Sequence, residues 1–104
     1  MLEATVANFE QDILNAGKPA IIDFWAEWCG PCRMFGPIFE EVAAEMGDKV
    51  VFAKLNVDEQ EELARQYKVM TIPTVMLFKD GGAVKKSVGV LNKVELKELI
   101  ESVL

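Results

Sequence analysis

Ala20-Ile21-Ile22-Asp23-Phe24-Trp25-Ala26-Glu27-Trp28-Cys29-Gly30-Pro31-Cys32 contains the only two cysteines of a 104-residue chain. From Ala20 to Ala26 the residues are apolar on both faces apart from Asp23, the pattern of an interior strand covered by helices. After the cysteines the period changes. Met34 to Met46 reads as a helix, with Phe35, Ile38, Phe39 and Val42 as its core stripe and Gly47 as its stop. A Cys-x-x-Cys at a strand-to-helix junction is a signature of thiol–disulfide chemistry.

The spacing gives that chemistry a physical basis. Residues i and i+3 on a helix lie on one face, with Cβ atoms roughly 5–6 Å apart. A disulfide between Cys29 and Cys32 therefore needs only a small adjustment. Free backbone N–H groups and the positive end of the dipole at a helix N-terminus favour a thiolate. Cys29 is expected to be the exposed end and the nucleophile, and Cys32, one turn in, the shielded resolving thiol. Pro31 suits a first helical turn, and Gly30 permits close approach of a substrate backbone. The competing reading is half of a metal site or two inert core thiols. The chain has no histidine and no third cysteine, so a mononuclear zinc site would need a second chain.

Asp23 is anomalous in its apolar strand. Alternation places it on the face of Ile21 and Trp25. Burial there raises a carboxyl pKa, which would let Asp23 take and return the proton of Cys32. A structurally paired or solvent-reaching carboxylate is the alternative. Lys54 is a similar oddity in Val51-Phe52-Ala53-Lys54-Leu55. It either pairs with Asp23 from a neighbouring strand or snorkels along an apolar stem. Trp25 reads as core, Trp28 as half-exposed, and Glu27 as a surface charge. Pro73 opens a strand and is trans by base rate.

The rest of the chain alternates. Glu3 to Val6 is a short strand. Asn8 caps a helix to Ala16, with Gln11 as capping-box partner and Gly17 as stop. Val50 to Val57 is a second interior strand, and Asp58 caps a helix from Glu59 to Tyr67, with Glu61 in the box. Thr74 to Lys79, the turn Asp80-Gly81-Gly82 and Ala83 to Val88 form a hairpin. Asn92, with Glu95, caps a last helix through Val103. Pro37 removes a hydrogen bond inside the helix after the cysteines and predicts a kink. Strand–helix alternation followed by ββα predicts an α/β fold: a mainly parallel sheet with an antiparallel edge and helices on both faces.

Composition bounds the function. A chain of 104 residues that is 51% hydrophobic is expected to form one domain over residues 1–104 without a disulfide framework. Its net charge of −6 disfavours nucleic acid and anionic membranes. Lys85-Lys86 reads as a solvated hairpin edge. The absence of histidine removes Ser-His-Asp and Cys-His catalysis. Met1-Leu2-Glu3-Ala4-Thr5 lacks the basic and apolar regions of a secretory signal, which makes the cytoplasm the expected compartment.

These residues resemble the thioredoxin family. The resemblance runs through Asp23 to Cys32, Pro37, Lys54-Leu55-Asn56-Val57-Asp58, Ile72-Pro73-Thr74, Phe78-Lys79-Asp80-Gly81 and Gly89, in order and without a large insertion. It implies a five-stranded mixed sheet with four helices and a cis Pro73 against the cysteines. It implies that Cys29 attacks a substrate disulfide, that Cys32 resolves the mixed disulfide, and that Asp23 handles protons beside Lys54. Trp28, Gly30, Pro31, Ile72, Pro73, Gly89 and Val90 would form the docking surface. It further implies a monomeric, general protein-disulfide reductase recharged by a thioredoxin reductase, with no cofactor or metal of its own. Met70-Thr71 and Arg33 depart from frequent family residues at the docking rim. An oxidase or isomerase on the same fold is disfavoured by Gly-Pro between the cysteines. A binding subunit with bystander thiols and a thiolate-bridged metal dimer are the readings from other classes.

Overall fold

The computed structural model describes all residues, Met1–Leu104. Five strands form one mixed sheet: β1 (Leu2–Glu3), β2 (Ala20–Trp25), β3 (Val51–Asn56), β4 (Thr74–Lys79) and β5 (Gly82–Val88). Their spatial order is β1-β3-β2-β4-β5. β3 runs parallel to both β1 and β2, whereas β4 is antiparallel to β2 and β5. Four helices cover the sheet: a π-helical turn over Glu10–Leu14, α1 (Gly30–Met46), α2 (Glu61–Gln66) and α3 (Lys93–Glu101).

Alternation along the interior strands divides the apolar residues between two cores. Ile21, Phe52, Val75 and Leu77 join Phe35, Phe39 and Val42 of α1 and Leu96 and Ile100 of α3. Ile22, Phe24, Leu55, Met76 and Phe78 join Phe9, Ile13 and Leu63 on the other face. Asp23 lies in register with Lys54 on β3 and Val75 on β4, so it belongs to the face beneath α1.

The π-helical turn differs from the regular helix expected between Asn8 and Ala16. Asn15 donates its N–H to the Glu10 carbonyl, five residues back. Asn8 does not cap it: its Oδ1 accepts from the Thr5 N–H and its Nδ2 donates to the Glu3 carbonyl. β1 accordingly ends at Glu3 rather than Val6. Asp58 is not the cap of α2 either, which starts later, after Gln60. Asn56 Oδ1 instead accepts the N–H groups of Asp58 and Glu59 and forms the turn after β3.

α1 continues through Pro37 to Met46. Gly47 follows at an ordinary helical φ of −64°. A Cβ on it would lie 2.7 Å from the Ala43 carbonyl oxygen, so close approach rather than left-handed geometry demands glycine. The β4–β5 connection places Asp80 at φ 54° and Gly81 at φ 87°, the geometry of a two-residue hairpin turn. Asn92 caps α3 as expected: Oδ1 accepts from Glu95 N–H at 2.8 Å, and Glu95 Oε1 accepts from Asn92 N–H at 3.0 Å. No helix is long and apolar enough to cross a membrane.

Candidate active site

β2 ends at Trp25, and the chain turns over Ala26-Glu27-Trp28 into α1. Cys29 is the N-cap of α1, with extended backbone, and its Sγ accepts the Cys32 N–H at 3.2 Å. The sulfur thus stands where a serine or aspartate oxygen would sit in an ordinary N-cap. Gly30, Pro31 and Cys32 form the first turn, so Pro31 sacrifices no intrahelical bond. The two cysteines are joined in a disulfide with Cα atoms 5.2 Å apart. They are equally buried, each 4% exposed, so exposure does not separate their roles as expected. Their helix positions differ: only Cys29 Sγ caps the helix.

The Ile72–Pro73 peptide bond is cis, as the family resemblance implied and base rates did not. Pro73 is buried, and the Ile72 carbonyl oxygen lies 3.8 Å from Cys29 Sγ. The Gly89 N–H donates to the Pro73 carbonyl at 2.8 Å and ties the end of β5 to this segment. Gly89 has φ 100°, a conformation that suits glycine alone. Trp28, next to Cys29 in the chain, is 68% exposed; Met70, two residues before Ile72, is 93% exposed, and Val90, after Gly89, is also open to solvent. A Cβ on exposed Gly30 would touch nothing in the chain, so that space is open to a partner.

Trp28 is oriented by a contact that sequence reasoning missed. Its Nε1 donates to Asp58 Oδ2 at 2.8 Å. Arg33 donates from Nε and Nη2 to the Glu27 carbonyl, which closes the loop before Cys29.

Asp23 is fully buried, and neither carboxyl oxygen is hydrogen-bonded to another protein group. Desolvation raises its pKa from 3.8 to about 7, partly offset by the positive charge of Lys54. Lys54 is half-buried on the same face, and its Nζ is 4.6 Å from the Trp25 ring centroid. The structure therefore combines a helix-capping sulfur, a second sulfur one turn in, and a buried carboxyl that titrates near neutrality.

The family model described as "Thioredoxin" matches residues 1–102. This chain belongs to the thioredoxin family. It is 47% identical over 102 residues to a thioredoxin of Rhodospirillum rubrum, covering 98% of both chains. It is 44% identical to a thioredoxin of Pseudomonas aeruginosa over 98% of this chain and 94% of that one. A protein of Mycobacterium leprae named "Bifunctional thioredoxin reductase/thioredoxin" is 46% identical over 91% of this chain and 21% of its own length. The chain is a thiol–disulfide oxidoreductase of the thioredoxin type, with protein-disulfide reductase activity.

Proposed function

We propose that Cys29 is the nucleophile and Cys32 the resolving thiol of a general, monomeric protein-disulfide reductase. The observation that carries this assignment is the capping position of Cys29 Sγ, which accepts the Cys32 N–H at the positive end of α1. The Cys29 thiolate attacks one sulfur of a substrate disulfide and expels the other as a thiolate. Asp23 then takes the Cys32 proton. The Cys32 thiolate attacks Cys29 Sγ, releases the second substrate sulfur, and closes the Cys29–Cys32 disulfide. The expelled thiolates are protonated, one of them with the proton held by Asp23. Two electrons pass from the dithiol to the substrate.

Trp28, Ile72, Pro73, Gly89 and Val90 form the surface on which an extended substrate segment docks, with Gly30 and Pro31 as its floor. Met70 extends this surface. A thioredoxin reductase restores the dithiol, a partner suggested by the bifunctional relative. We place the protein in the cytoplasm as a single domain over residues 1–104, because its pair of cysteines is catalytic rather than structural.

The test is a pair of substitutions assayed with a disulfide-bonded protein such as insulin. Cys29→Ser abolishes turnover. Cys32→Ser also stops turnover but accumulates a covalent mixed disulfide through Cys29, visible by non-reducing electrophoresis and mass spectrometry. Mixed disulfide forming through Cys32 in the Cys29→Ser protein instead would reverse the roles.

A further inference from the structure

Asp23 and Lys54 are opposite in charge and adjacent in register on neighbouring strands, yet they do not pair. Neither Asp23 oxygen is hydrogen-bonded to a protein group. The ion pairs of the molecule all join Lys93 or Lys97 of α3 to Glu41 or Glu45 of α1. The Lys54 ammonium goes elsewhere, to 4.6 Å from the Trp25 ring centroid. Above it α1 presents buried Gly36. A Cβ there would approach Lys54 Nζ to 3.7 Å and would meet nothing else within 4 Å. That distance is an ordinary van der Waals contact, so the space beside the ammonium would admit a small side chain.

We propose that Trp25 is a positioning residue: its indole face attracts the Lys54 ammonium and holds the cation off the Asp23 carboxylate. The inference builds on the proton-carrying role given to Asp23 above. A direct ion pair would favour the ionised carboxylate and leave it a poor proton acceptor near neutral pH. A cation over a ring face is attracted by the ring quadrupole and gives up that pairing. The other groups facing Asp23 do not supply a competing charge. Val75 opposes it from β4, Leu96 and Ile100 are the buried residues of α3, and Cys32, among the buried side chains of α1, is held uncharged in the disulfide.

The experiment is an NMR titration of the Asp23 carboxyl in the wild type, Trp25→Leu, Lys54→Met and the double variant. Trp25→Leu is expected to lower the Asp23 midpoint by about one pH unit, as the released ammonium reaches the carboxylate. In the Lys54→Met background the same substitution leaves the midpoint within about 0.3 pH units, because the coupling runs through Lys54. An unchanged midpoint in Trp25→Leu overturns the proposal. So does an equal fall without Lys54, which would assign the indole a desolvating role. Trp25→Phe, with a smaller ring, is the second variant should Trp25→Leu not fold, and it is expected to give a smaller fall. Titration is independent of turnover. Normal turnover in Asp23→Ala would end the relay role and leave the coupling between Trp25 and Lys54 measured on its own.

Discussion

Asp23 keeps its proton to about pH 7 when folded and releases it near pH 3.8 when unfolded. Between these values the native state binds more protons than the unfolded chain. Stability therefore falls as pH rises from about 4 to about 7 and is level above that. A midpoint moved from 3.8 to about 7 bounds this loss at about 4 kcal/mol. Replacing Asp23 with alanine is accordingly expected to raise stability at pH 8 by about 2–4 kcal/mol, with the gain shrinking toward pH 4. Denaturant unfolding at the two pH values checks this, and an equal effect at both would show that the carboxyl is not the cause. Turnover of Asp23→Ala is expected to lose the rise through pH 7 that ionisation of the base supplies. That Asp23 shares a face of β2 with Ile21 was legible from alternation alone. Its lack of a protein partner was not, because register with Lys54 does not reveal that the ammonium turns to Trp25.

Helix caps mark where local reading ends. Asn92 and Glu95 satisfy each other across one turn, so the sequence pattern and the structure coincide. Alanine at Asn92 is expected to cost about 1 kcal/mol, read as a lower denaturant midpoint at unchanged slope. An unchanged midpoint would mean that α3 is held by its packing on α1 alone. Asn8 and Asp58 show the same residue types doing something else. The amide of Asn8 is taken by Thr5 and Glu3, and the carboxylate of Asp58 by the Trp28 indole. The second contact spans thirty residues of sequence and joins two loops, so no local pattern could announce it. The π-helical turn is hidden for a related reason, since a bond from Asn15 to Glu10 leaves the apolar spacing of Phe9, Ile13 and Leu14 compatible with an ordinary helix.

At the scale of the whole molecule, the sheet sorts its interior strands into two cores and leaves the cysteine loop at the junction of β2 and α1. Strand–helix alternation and the Asp80-Gly81 turn made this architecture legible, including the mixed sheet. The cis Ile72–Pro73 bond came only through family resemblance, because nothing in the local residues distinguishes it from a trans proline opening a strand. The assembled site sets a capping sulfur, a second sulfur and a neutral-range carboxyl on one rigid frame. The most direct test is the equilibrium reduction potential of the Cys29–Cys32 pair against a defined glutathione buffer. A reductase requires a potential well below that of the glutathione pool, so that the dithiol passes its electrons on. A potential well above it would contradict the account and make the pair an oxidant of other proteins.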